Sequence, residues 1–245
     1  MASARASTRR TRSVRVAVTS PHALVSEAVV AALHNRGFEP LLVRWPTSAR
    51  ETASAPQRLR PSRRSVGPPP DVGLLLSDLS RLDQVDSAVT IVAGLPVPWL
   101  VMAGISRGPA WGAVYEGGAR LVVPSVTGIV EIAELLNDLV RSGGSPRDRR
   151  ESRELIRRWR AFAAQRIDLA ARLKTLTDRE GVILQQLHQG NAVRDIAERS
   201  EVTESTVRSQ VKAILKKLDV NSQMAAVAAY ESVLTDSTEM RVDSQ

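Results

Sequence analysis

The apolar positions in the first half of the chain alternate between short strand-like runs and stretches with helical spacing. Residues 14–19 (VRVAVT) form a buried-strand run, and residues 22–37 follow with helical spacing that ends at a glycine. Further strand-like runs recur at 39–45, 71–79, 98–104 and 120–124. Strands separated by helices predict parallel pairing through right-handed crossovers. Residues 13–143 are therefore expected to form an α/β domain with a doubly wound parallel five-stranded sheet.

A long charged helix is predicted next, from about residue 148 to 174 within a linker that spans 144–174. Its apolar side chains form a stripe with near-heptad spacing, which consists of Leu155, Ile156, Trp159, Phe162, Ala163, Ile167, Ala170 and Leu173. Arg166 interrupts one side of this stripe. The pattern fits a helix packed on its own domain or a dimerising or signal-transmitting connector, and the small number of heptads favours the first.

Residues 175–235 have the pattern of four short helices. The sequence TDRE at 177–180 predicts a capping box that starts the first helix, and Gly190 is a typical end for it. A second helix is expected at 193–200, and Thr203 is a suitable N-cap for a third. Two helices joined by a short turn have the geometry of a DNA-reading helix-turn-helix.

The third of these helices has two chemically distinct faces. Its apolar side chains are Val207, Val211, Ile214, Leu215 and Leu218, which we expect to pack on Ile183, Leu187, Ile196 and Ala197. Its outer row consists of Ser205, Arg208, Ser209, Lys212 and Lys216. Such a row is often only a solvated basic face, but the preceding helix and turn favour entry into a major groove. Arginine and lysine there bind guanine edges, whereas Lys216, Lys217 and the hydroxyls at the helix start suit phosphates.

The net charge of +8 is unevenly distributed, with +9 in residues 1–70, −4 in 71–145 and +3 in 146–245. Much of the excess lies in two segments rich in Ser, Pro, Ala and Arg, which predict a disordered basic arm at 1–12 and a flexible loop at 46–70. A disordered tail is expected at 236–245. The two basic segments suit nonspecific phosphate contacts or a solubilising role.

Several classes of chemistry are excluded by what the sequence lacks. It has no cysteine, and His22, His34 and His188 are far apart, so neither a metal site nor a cofactor is expected. It contains no phosphate-binding glycine loop and no nucleophile-elbow motif, so we do not expect an enzyme. No apolar run of about 18 residues and no signal-peptide core appear, which predicts a cytoplasmic protein without membrane contact.

Residues 176–230 resemble the LuxR-type helix-turn-helix domain that ends many bacterial response regulators. The resemblance lies in LT-x-RE at 176–180, the IAE helix, the T-x-S-TV start of the recognition helix, and KKL at 216–218. It implies base contacts from Arg208, Ser209 and Lys212, and phosphate contacts from Thr203, Thr206, Lys216 and Lys217.

The resemblance also assigns subunit pairing to the last helix, at 222–233. Its candidate contacts are Met224, Val227 and Tyr230, and the alternative is that all three are buried in a lid on the core. Ser200 and Glu201 stand where the family has Leu and Gly. Glu201 is expected to strain the turn, because glycine tolerates positive φ and glutamate does not.

The N-terminal domain resembles, more weakly, the receiver domain that accompanies this type of C-terminus. Ser20 and Pro21 replace the acidic pair that holds magnesium, Ala103 replaces the hydroxyl residue, and Ser125 replaces the lysine. Leu76 occupies the place of the phosphorylated aspartate, and Asp78 lies two residues further on. Conventional phosphorylation is therefore not expected, and Asp78 is either a displaced phosphorylation site or a cap for the next turn.

The same edge of the sheet offers a place for a small molecule or a protein effector. Trp99 and Trp111 are candidates for lining it, and buried packing is favoured for both.

The whole pattern favours a sequence-specific transcriptional regulator that binds double-stranded DNA as a homodimer without control by aspartyl phosphate. One alternative is a protein-interaction module that docks on RNA polymerase or another regulator. The other is a phosphorylation-dependent response regulator that uses Asp78.

Overall fold

The computed structural model divides into two compact units, Met1–Trp159 and Arg160–Gln245. It describes residues 13–46, 68–142 and 148–241. The expected arm at 1–12, most of the expected loop at 46–70 and the last four residues of the expected tail lie outside the described residues.

A five-stranded sheet lies at the centre of the first unit. Its strands are β1 (Arg15–Thr19), β2 (Glu39–Leu42), β3 (Val72–Ser77), β4 (Trp99–Ala103) and β5 (Leu121–Pro124). All pairings are parallel, in the order β2-β1-β3-β4-β5. This is the order of flavodoxin-like doubly wound folds, so the predicted fold class is confirmed.

Helices cover both faces of the sheet. They are α1 (Ala23–His34), α2 (Leu82–Gly94), α3 (Pro109–Glu116) and α4 (Ile129–Ser142). One buried cluster joins the sheet to α2 and α3, and the other joins it to α1 and α4. All six residues of β3 are buried, because a central parallel strand is covered on both faces.

Two tryptophans belong to the first of these clusters. Trp99 is fully buried and donates its Nε1–H to the carbonyl of Leu95 at 3.1 Å, while Trp111 donates to Ile105 at 3.1 Å. Buried packing is thus confirmed for both. Placing Trp99 near the carboxyl edge of the sheet was wrong, because it is the first residue of β4 and lies at the amino edge.

Helix α5 (Asp148–Leu173) begins in the first unit and ends in the second. Leu155 is buried in the first unit's core, and Trp159 packs against the same cluster. The backbone of α5 comes so close to α3 that a Cβ built on Gly112 would lie 2.0 Å from the Leu155 carbonyl oxygen. The amino half of α5 is therefore packed on its own domain, as favoured from the sequence, whereas Ile167 is 72% exposed.

The second unit contains four more helices within its described residues. They are α6 (Asp178–His188), α7 (Val193–Arg199), α8 (Glu204–Leu218) and α9 (Gln223–Arg241). The predicted capping box is present, since Thr177 Oγ1 accepts from the Glu180 amide and the Glu180 carboxylate accepts from the Thr177 amide. Helix α9 continues to Arg241, beyond the expected domain boundary at 235, so 236–241 are helical rather than a disordered tail.

The core of the second unit contains the apolar residues predicted for it. Ile183, Leu187, Ile196 and Ala197 are buried together with Val207, Ile214 and Leu218. No helix among the described residues has both the length and the apolar character needed to cross a membrane.

Candidate nucleic-acid interface

A tight turn joins α7 to α8 and fixes the angle at which α8 is presented. The Val202 amide donates to the Ala197 carbonyl at 3.0 Å, which closes the turn over the end of α7. Glu201 has φ of 52°, in the left-handed region. The expected strain is therefore present, and left-handed backbone costs a non-glycine residue about 1–2 kcal/mol.

Helix α8 buries one face and presents the opposite one to solvent. Val207 and Ile214 are each 1% exposed, and both pack against α6 and α7. The outward residues are all exposed, and they are Ser205, Arg208, Ser209, Lys212 and Lys216. The structure thus brings together on one surface the side chains expected to face DNA.

Hydroxyl groups cluster at the start of α8. Thr203 caps the helix, and its Oγ1 accepts from the Thr206 amide at 3.2 Å. The same oxygen lies 2.8 Å from Ser205 Oγ and 2.9 Å from Thr206 Oγ1. A helix N-terminus carries partial positive charge, so this end of α8 is a favourable place for a phosphate beside the cationic row.

The cationic side chains of the outward row differ in whether they form an ion pair. Arg208 pairs with Glu204 at 2.8 Å, one turn earlier on the helix, and both side chains are exposed. Lys212 and Lys216 have no partner among the residues that the structure describes. Since an exposed pair is worth less than about 1 kcal/mol, Arg208 can exchange Glu204 for another acceptor.

Lys217 does not belong to this surface, although the sequence placed it near phosphates. Its ammonium lies 2.6 Å from Glu180 Oε2 and donates to the Thr175 carbonyl at 3.2 Å. Glu180 is buried, and its hydrogen bond from Lys217 is the main cause that lowers the pKa of this carboxyl. The role of Lys217 is to neutralise the buried capping-box carboxylate.

The three candidate pairing residues of α9 have different environments. Met224 is 79% exposed, whereas Val227 and Tyr230 pack against the core of the second unit. Tyr230 also makes an edge contact with His188, with ring centroids 5.6 Å apart. Burial of all three in a lid is therefore wrong for Met224, which lies at the first turn of the helix, outside the core.

Leu76 and Asp78 lie at and just after the end of β3, on the carboxyl edge of the first unit's sheet. Leu76 is buried in the core, and Asp78 is exposed after β3. The Asp78 carboxylate accepts from the amide and the hydroxyl of Ser80, at 3.3 and 3.0 Å, which is the turn-capping role considered for it. The described residues contain no group of three acidic or histidine side chains that could hold a metal ion.

The second unit contains a recognised domain. Residues 174–229 match the model of the bacterial regulatory proteins of the luxR family. The chain therefore carries a LuxR-type helix-turn-helix domain at its C-terminal end, and α8 lies within it.

One curated relative is the DNA-binding transcriptional activator DevR/DosR of Mycobacterium tuberculosis, which is 32% identical over 120 residues. The match covers 49% of this chain and 52% of the relative, so the chain spans about half the length of that protein.

Solved structures with similar architecture include the response regulator RcsB in a DNA complex, at 18% identity and a TM-score of 0.37, covering 90% of this chain and 99% of RcsB. Another is the receiver domain of the putative response regulator NarL from Mycobacterium tuberculosis, at 23% identity and a TM-score of 0.38, covering 53% and 98%.

Proposed function

We propose that the protein is a sequence-specific DNA-binding transcriptional regulator. The observation that carries this proposal is the outward face of α8, where Lys212 and Lys216 stand without a partner among the described residues. The relative DevR/DosR, which the chain matches over about half its length, is a DNA-binding transcriptional activator, and this similarity supports the proposal. We assign Arg208, Ser209 and Lys212 to base edges, where a lysine or arginine can donate to guanine O6 and N7.

The remaining polar groups of α8 suit the sugar-phosphate backbone. Thr203, Ser205 and Thr206 offer hydroxyls at the helix start, and Lys216 extends the cationic row towards the helix end. Contacts of this kind position a protein on DNA without distinguishing sequences.

We also propose that the protein binds DNA as a homodimer that pairs through α9. Met224 is the support for this, because a methionine that is 79% exposed at the first turn of a helix is suited to contact a second copy. A dimer is expected to protect two half-sites about one helical turn of DNA, roughly 34–36 Å, apart.

We propose that the protein is not controlled by conventional aspartyl phosphorylation. The support is that Ser20 and Pro21 replace the acidic pair, and that Ser80 occupies the Asp78 carboxylate. Leu24 and Val126, which follow β1 and β5, are 81% and 89% exposed. A small molecule or a protein contacting this edge is the form of control that we propose in its place.

The test is genome-wide immunoprecipitation of the tagged protein with sequencing of the bound DNA, beside Lys212→Ala. Sharp peaks that share a motif and disappear in Lys212→Ala are expected. Lys174, which is exposed and directly follows α5, supplies the control, because Lys174→Ala also removes one lysine charge and is expected to retain the peaks. Diffuse enrichment in the wild type contradicts the proposal. If the tagged protein in that case still retains RNA polymerase after nuclease treatment, it is a protein-docking module instead.

A further inference from the structure

A groove runs beside α8, between its first two turns and the start of α6. Its floor includes the apolar side chains of Val182 and Val207, and its polar lining includes Arg179, Thr206 and Gln210. The base-facing row of α8 uses neither Arg179 nor Gln210. Arg179 belongs to the LT-x-RE motif, but spacing along the chain does not predict that it lies near Gln210.

The position of Arg179 is not explained by a contribution to the stability of α6. It is the second residue of α6, and the positive end of the helix dipole opposes a cation there. The neighbouring acid Glu180 is bound to Lys217. Arg179 is exposed, and it forms no ion pair or hydrogen bond with any residue in the described part of the chain.

Thr206 and Gln210 lie one helical turn apart on the flank of α8 that faces α6. Lys217 belongs to the same flank, and its 2.6 Å contact with Glu180 shows that the start of α6 lies against it. The Gln210 side chain is half-buried and has no hydrogen-bond partner among the described residues. Arg179 thus stands at the edge of the recognition helix, on the side opposite Leu215.

DNA geometry places phosphates at such an edge. The major groove is about 12 Å wide and a helix with its side chains is about 10–12 Å across, so a helix in the groove has a sugar-phosphate strand along each flank. We propose that the groove between α6 and α8 seats one phosphate of the DNA backbone, bound by Arg179 with Gln210 and Thr206 beside it. This inference rests on the proposed DNA-binding function and adds to it a positioning contact from outside the helix-turn-helix.

Asp178 also lines the groove and has the opposite charge. Its place at the first position of α6 is favoured by the helix dipole, so it has a structural reason to be there. Its carboxylate repels a phosphate in the groove. Replacing it by asparagine is therefore expected to strengthen DNA binding, in the direction opposite to the loss of Arg179.

The experiment measures the dissociation constant of the full chain against salt concentration, by fluorescence anisotropy. The probes are a duplex selected by the wild type from a random library, and a scrambled duplex of the same length and composition. A phosphate contact contributes about 0.9 to the slope of log K against log salt. Arg179→Ala is expected to lower the slope by about one and to weaken binding to both duplexes by the same factor.

Three further variants separate this contact from general effects. Arg179→Lys keeps the charge and is expected to keep most of the slope, while Asp178→Asn is expected to tighten binding to both duplexes. Arg141→Ala removes an exposed arginine of the first unit, which pairs with Asp138, and is expected to leave the slope unchanged. Thermal unfolding of each variant verifies that the fold is retained.

Each remaining outcome overturns a defined part of the account. If the wild type selects no duplex, the proposed function fails before Arg179 is in question. If the wild type binds and Arg179→Ala retains the wild-type slope and affinity, the phosphate contact is refuted while the function stands. If Arg179→Ala weakens binding to the selected duplex alone, Arg179 contacts bases and the assignment to the backbone is wrong.

Discussion

The two units of this chain differ in what they keep from the domains that they resemble. The second unit keeps the fold, the capping box and the exposed polar row of α8, although Ser200 and Glu201 depart from the usual residues of the turn. The first unit keeps the parallel sheet, but Leu76 is buried where the phosphorylated aspartate belongs. A doubly wound fold depends on buried apolar residues, so it persists when the polar groups at its strand ends are replaced.

In the second unit, charged motif residues also hold the fold together. Lys217→Met leaves the buried Glu180 carboxylate without its cation, and we expect the second unit to lose about 3 kcal/mol of unfolding free energy. Hydrogen exchange of the α6 and α8 amides measures this loss. Lys216→Met, at the exposed neighbouring position, is the control and is expected to change little; equal effects of the two would refute the role of Lys217.

In the first unit, packing rather than polar chemistry is expected to be sensitive. Gly112→Ala places a methyl group against the Leu155 carbonyl, so α5 must shift, at a cost of about 2 kcal/mol. All four tryptophans lie in this unit, so their fluorescence reports its unfolding. Gly128→Ala, where a Cβ meets nothing within 4 Å, is the matched control. An Asp78→Ala variant that destabilises the unit more than Gly112→Ala contradicts the comparison.

The ion pair between Lys217 and Glu180 in the second unit also predicts an acid-dependent change in stability, which is smaller than the effects above. The pKa of Glu180 is lowered from its ordinary value of 4.5, mainly by Lys217. A carboxyl with a lowered pKa contributes stability that is fully present above pH 4.5 and is lost as the pH falls through the folded-state pKa. Unfolding of the wild type and Glu180→Gln across this range is expected to show a difference that shrinks on acidification. A difference independent of pH would rule out this titration.

The smallest expected effect concerns the turn before α8. Glu201→Gly relieves a left-handed backbone but gives the unfolded chain more freedom, so the net gain is about 0.5 kcal/mol. Glu201→Ala removes the same charge without relieving φ and is not expected to stabilise. Melting temperatures of the second unit distinguish the two, and equal gains would assign the effect to charge instead.

The sequence was sufficient where periodic apolar positions decide the outcome. The strands near Val18 and Leu74 and the two faces of α8 followed from spacing, because burial enforces those periods. The capping box at Thr177 followed from local hydrogen-bond chemistry.

The spacing of apolar residues could not predict contacts between residues that are far apart in the sequence. Lys217 was placed near phosphates, because nothing in a single sequence shows that it meets Glu180 37 residues away. The groove that brings Arg179 to Gln210 was missed for the same reason. The end of α9 was placed too early, since the chain from Asp236 onward is polar and lacks an apolar stripe, yet the helix continues.

The central claim is that DNA binding resides in the outward face of α8 and does not depend on phosphorylation at Asp78. The most direct test compares Lys212→Ala and Asp78→Asn with the wild type on the selected duplex, with and without a small-molecule phosphodonor. We expect Lys212→Ala to lose about 1–3 kcal/mol of binding free energy, roughly 5- to 150-fold in affinity. Asp78→Asn is expected to bind as the wild type does under both conditions. If the donor tightens wild-type binding and Asp78→Asn abolishes that gain, the protein is a phosphorylation-dependent regulator and the account is wrong.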